Sequence, residues 1–192
     1  YYTGITFDEA VPSAEDPLIN GSPLQQKARA SQRVGVATAP SPEGPWTRLD
    51  APLLEARPDH WDALMTTNPA VWIHPDGRTL LAYKSARYRR GPLEYGIAAG
   101  PTPTGPFERL TDEPIFQFDD GSHIEDACLW HNGDHYEMIF KDMTGGICGE
   151  KQAGVHATSP DGVRWAISDP PLAYSRDLLW SDGNRSTQGN LE

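Results

Sequence analysis

The chain has 192 residues, 38% hydrophobic and 22% charged, enough apolar material for a packed core, and its 18 Pro and 18 Gly cut it into short segments that suit strands better than helices. Sixteen Lys and Arg against 27 Asp and Glu leave a formal net charge of -11, which repels nucleic acid and anionic membrane surfaces and suits neutral, hydroxyl-rich ligands such as sugars. No apolar run reaches the length of a membrane-spanning helix, and Cys128 and Cys148 alone make neither a disulfide framework nor zinc-type ligand spacing.

In chain order, Tyr1-Tyr2-Thr3-Gly4 reads as the end of a strand, and residues 8 to 32, rich in Pro, Ser, Ala and Gln, read as a long surface excursion. Then a phrase begins that recurs. Gly35-Val36-Ala37-Thr38-Ala39-Pro40-Ser41-Pro42-Glu43-Gly44-Pro45-Trp46 matches the segment Gly96 to Phe107 after 61 residues, and Gly154 to Trp165 after a further 58. A second element precedes the last two copies. Asn68-Pro69-Ala70-Val71-Trp72, followed by Gly77 and Leu80 to Tyr83, is mirrored by Asp126-Ala127-Cys128-Leu129-Trp130, followed by Gly133 and Tyr136 to Phe140, with Asn68 and Asp126 again 58 apart.

Each unit predicts four short strands, in the middle copy over 69–74, 79–85, 95–99 and 107–110, separated by Gly, Pro, Asn and Asp turns. One such sheet buries too little alone, so repeated sheets must stack, and radial arrangement around a channel is the usual solution. The expected fold class is all-β, a single β-propeller domain over 1–192 with blades near 1–54, 55–115 and 116–180 and the start of another at 181–192. About three blades are fewer than close a propeller, so the chain reads as part of something longer. Residues 69–74 and 127–131 should open neighbouring blades, with Trp72 and Trp130 equivalent.

These phrases resemble the five-bladed propeller glycoside hydrolases, the broad group containing family 43 and its relatives in families 32, 117 and 130. The resemblance rests on Gly35 to Trp46, Gly96 to Phe107, His123 to Trp130 and Gly154 to Trp165, and spans nearly the whole chain. It implies that acidic residues at the start of each blade's innermost strand converge on the sugar at the channel mouth, and it favours an extracellular or periplasmic address. The matching positions are Thr67-Asn68, Glu125-Asp126 and Glu192, with Asn68 standing where a relative carries Asp.

Glycoside hydrolysis needs one protonated and one ionised carboxyl group. Glu125 and Asp126, without a basic neighbour in sequence, are the candidate catalytic residues, one acting at the channel mouth and the other supporting it, with Glu125 the expected general acid and the second carboxylate left unassigned. Strand alternation would let only one of the two face the channel. Asp62 and Glu192 are weak candidates for a second carboxylate. Asn68, His60, Trp61, Arg87 and His123 are candidate sugar-binding residues. No metal-ligand constellation is readable and no cofactor is expected, although some family 43 relatives hold a channel ion such as calcium. Two alternatives remain: a phosphorylase using Lys84, Arg87 and Arg89 to hold phosphate as nucleophile, and a propeller that binds glycan without catalysis.

Overall fold

The computed structural model describes residues 1–6, 12–14 and 19–188. Glu192 therefore lies outside the described residues. The elements in chain order are β1 (Tyr2–Gly4), α1 (Pro23–Ala30), β2 (Arg33–Gly35), β3 (Ala37–Thr38), β4 (Thr47–Arg48), β5 (Thr67–Ile73), β6 (Thr79–Ser85), β7 (Glu94–Gly100), β8 (Glu108–Arg109), β9 (Ile124–His131), β10 (Tyr136–Asp142), β11 (Gly154–Ser159), β12 (Ala166–Tyr174), β13 (Asp177–Leu179) and β14 (Arg185–Thr187). Two complete antiparallel meanders, β5-β6-β7-β8 and β9-β10-β11-β12, follow a smaller group in which β1 pairs with β2 and β3 with β4. The hairpin β13-β14 comes last.

Among the described residues the molecule is all-β except for α1, which interrupts a segment expected to be irregular. Ser22 starts that helix by accepting the Gln25 N–H at 3.1 Å, and Pro23 occupies the first turn, where its missing N–H costs nothing. The expected opening strands are present as β5 and β9. They pack side by side in different sheets, with no ladder of backbone hydrogen bonds between them.

Sheets stack face to face, and β6 shows how. All seven of its residues are buried, which an alternating half-exposed strand would not be. Leu80 and Ala82, with Tyr95 and Ile97 of the same sheet, face the second meander and share a core with its Ile124, Leu129, Met138 and Phe140. Leu81 and Tyr83 face the opposite way, onto Val34, Leu54 and Trp61. The middle sheet is thus covered on both sides.

The recurring glycines have a packing cause. A Cβ on Gly35 would stand 2.6 Å from the Tyr2 ring, and one on Gly96 would stand 2.6 Å from the Tyr83 ring. Each tyrosine lies flat on its glycine, and each carries an arginine over its ring, Arg48 at 5.6 Å and Arg109 at 5.3 Å. The third glycine is different. Gly154 stands opposite Lys141, whereas Lys84, the equivalent of Lys141 by its pairing with the preceding strand, stands opposite Tyr95. The third copy is therefore offset by one residue from the glycine match, and Gly154 makes room for Tyr174 instead.

Candidate functional site at Glu125 and Asp126

The first strands of both meanders begin irregularly, and that irregularity builds the site. In β5 the pairing slips between Thr67 and Ala70, and Asn68 sits in the left-handed region at φ 45°. In β9 it slips between Glu125 and Cys128, and Asp126 sits at φ 51°. Such bulges free one backbone N–H from the ladder. At 69 the residue is proline and has none to satisfy. At 127 the Tyr95 hydroxyl accepts the Ala127 N–H at 3.0 Å.

The bulge also corrects the expectation that Glu125 and Asp126 point to opposite faces. Alternation holds only for regular extended backbone, and a left-handed residue breaks it. Both carboxylates line the same cleft of about 430 Å³, together with Asn68, Lys84, Gln25, Arg29 and Gln32.

The pair does have basic partners, brought by neighbouring strands. Lys84, on β6, donates to Glu125, and Lys141, on β10, donates to Asp126 Oδ2 at 2.6 Å. The lysine side chains are 5% and 3% exposed, the carboxylates 22% and 24%. Asn68 Nδ2 donates to Asp126 Oδ1 at 2.6 Å. Thr3 accepts the Asn68 N–H at 3.0 Å and bonds the Thr67 hydroxyl at 3.0 Å, so three sheets contribute to one network. Burial pushes Asp126 up, but the hydrogen bond and charge of Lys141, the charge of Lys84 and the amide of Asn68 outweigh it and hold the carboxyl below its ordinary range.

Other sequence candidates stand elsewhere. Asp62 is fully enclosed and accepts from Arg57 at 2.9 Å, Arg109 at 2.7 Å and the Tyr83 hydroxyl at 3.0 Å, so it organises the core and is not available as a second carboxylate. Trp61 is 7% exposed and stacked on Tyr83, which makes it a core residue instead of a sugar platform. His60 and Arg87 lie on exposed loop surface and line neither the carboxylate cleft nor the cavity beside it. His123 lines that second cavity, which shares Gln25, Arg29 and Met65 with the cleft.

Sequence reasoning missed Lys141, Gln25 and Arg29. For Lys141 a signal existed: Lys84 and Lys141 occupy equivalent positions of successive second strands. Among the described residues, no group of three or more His, Cys, Asp or Glu is placed to hold a metal ion. None of the described helices is long and apolar enough to cross a membrane.

No protein-family model matches the chain, and no curated protein does. Solved structures match. One is BT0996 in a complex with RGII, with TM-score 0.62 and 20% identity over 79% of this protein and 47% of that one. Another is Zg3597, a family 117 glycoside hydrolase of the marine bacterium Zobellia galactanivorans, with TM-score 0.59 and 23% identity over 85% of this protein and 45% of that one. A family 130 structure matches with TM-score 0.50 and 17% identity over 81% of this protein and 42% of its own length. The chain spans a little under half the length of the structures it matches. At these identities the likeness is one of fold, and that fold is the one of glycoside hydrolases that include members of families 117 and 130.

Proposed function

We propose that this chain belongs to a glycoside hydrolase built as a five-bladed β-propeller, and that the Glu125-Asp126 cleft is where it takes the glycosidic bond. The observation that carries the reading is the paired arrangement itself: two carboxylates on one bulged strand, facing one cleft, each held by a buried lysine. Acidic pairs that merely cap strands need neither a left-handed residue nor two desolvated ammonium groups.

Roles follow from the environments. Asp126, held below the ordinary carboxylate range, stays ionised near neutral pH, which suits activation of water or stabilisation of positive charge on the sugar ring and not proton donation. Of the two, Glu125 is then the proton donor. To act so it must first take up a proton, from water or from the Lys84 ammonium that donates to it, and then pass it to the glycosidic oxygen; its partial exposure on the cleft side leaves room for that approach. Asn68 and Lys141 hold Asp126 in place. The phosphorylase reading is less well supported, because Lys84 is committed to Glu125, Arg87 does not line the cleft, and Arg89 lines the adjoining cavity instead of the cleft.

The test uses the full-length protein and a panel of oligosaccharides in phosphate-free buffer, with reducing-end release as readout. Turnover without phosphate that is lost in Glu125→Gln and Asp126→Asn supports the hydrolase. A strict phosphate requirement would replace it by the phosphorylase, and binding without any turnover would leave a glycan-binding propeller.

A further inference from the structure

Next to the carboxylate cleft lies a second cavity of about 400 Å³, and its lining is unusual for so acidic a chain. Arg29 reaches it from α1, and Arg89 and Arg90 from the β6–β7 loop, and His123 lines it too. Asp and Glu outnumber Lys and Arg 27 to 16 in this protein, yet among the described residues no carboxylate lines the cavity. None of these three arginines is ion-paired to a described residue, although Arg33, Arg57, Arg78, Arg109 and Arg164 all are. All three are exposed, and like charges gathered around one cavity raise the local positive potential, which favours an anion there.

The floor is apolar. Leu64, Met65, Ala86 and Leu93 form it, and Tyr88, 60% exposed, stands at its edge as a flat face. An inorganic oxyanion would gain nothing from such a floor, whereas a sugar ring presents apolar C–H faces to it, and the volume falls in the range of small-molecule sites. Because Gln25, Arg29 and Met65 belong to both cavities, a ring seated here continues directly into the Glu125-Asp126 cleft.

We propose that this second cavity is a subsite for an acidic sugar, one bearing a carboxylate or a sulfate ester, adjoining the residue whose bond is cleaved. Arg29, Arg89 and Arg90 hold the anion, Tyr88 and the apolar floor take the ring, and the substrate class is an anionic polysaccharide. The proposal rests on the hydrolase reading for its neighbour but is tested separately from it.

Binding of the full-length protein is measured by calorimetry with oligogalacturonate, with a sulfated galactan oligosaccharide and with the unsulfated galactan oligosaccharide, and inorganic phosphate is titrated as a further arm. An acidic glycan should bind more tightly than the neutral one and lose affinity with added salt. Arg89→Ala/Arg90→Ala, and independently Arg29→Ala on α1, should each weaken it by about tenfold or more while the melting temperature stays put. The acidic glycan that binds identifies the anion as carboxylate or sulfate. Equal affinity for acidic and neutral glycans, unchanged affinity in both variants, or binding of inorganic phosphate alone would overturn the proposal. Binding that behaves as expected in a protein that turns over none of these glycans would count against the hydrolase reading and leave the acidic subsite standing.

Discussion

Asn68 and Asp126, 58 residues apart and at the same position of successive sheets, are hydrogen-bonded side chain to side chain at 2.6 Å. Both adopt left-handed backbone, at φ 45° and 51°. The repeat therefore meets itself at the cleft: one copy supplies a carboxylate, the next-door copy a neutral amide that donates to it. An aspartate at 68 would place two negative charges in that contact. Asn68→Asp should weaken the network by like-charge repulsion, lowering the denaturation midpoint at neutral pH and restoring it partly on acidification.

The lysine pairs give a second expectation. Lys84→Met keeps most of the side-chain volume but leaves Glu125 without its ammonium donor. Because Glu125 is partly open to water and can be rehydrated, the cost should be about 2 kcal/mol instead of the full penalty of an abandoned buried charge. Chemical denaturation of Lys84→Met, Glu125→Gln and the double variant checks this, since the double variant should cost less than the sum of the two.

Asp126 sets a pH dependence with a definite sign. Its carboxyl is held below the unfolded value, so its contribution to stability is present in full above the ordinary aspartate range, near pH 4, and fades as pH falls through the lower folded value. Denaturation midpoints of the parent protein and Asp126→Asn should differ at neutral pH and converge at strongly acidic pH. A gap that widens on acidification would contradict the assignment.

Asp142 predicts a loop effect. Its buried carboxylate accepts the N–H groups of Thr144 at 3.0 Å, Gly145 at 2.7 Å, Ile147 at 2.8 Å and Cys148 at 3.0 Å. Burial pushes the group up, and these four donors bring it below its ordinary range. Asp142→Asn turns one acceptor into a donor that faces donors. It should cost about 2 to 3 kcal/mol and speed amide hydrogen exchange across residues 144–148.

The sheets were legible because their turns recur. The strand expected over 79–85 is β6, Thr79–Ser85, bounded by a Gly turn and a basic loop. The site was only half legible. The position of Glu125 and Asp126 followed from the repeat, but their common facing depends on a bulge, and a single left-handed residue leaves no mark in composition. Their lysines come from other strands, so no local window contains the pair. Trp61 misled for the opposite reason: a tryptophan in a loop segment looks available until the Tyr83 ring and Gly96 close over it. Helix α1 has just eight residues and one buried side chain, Ala28, too little apolar pattern for the sequence reading to find it.

The proposed mechanism stands or falls on whether Glu125 gives the proton to the leaving sugar. The most direct test compares Glu125→Gln with the parent full-length protein on a natural glycoside and on an aryl glycoside whose leaving group needs no protonation. Proton donation by Glu125 predicts a loss of roughly a hundredfold or more on the natural substrate and a much smaller one on the aryl glycoside. Equal losses on both would make Glu125 a positioning residue for Asp126, and near-full activity on the natural glycoside would contradict the catalytic assignment altogether.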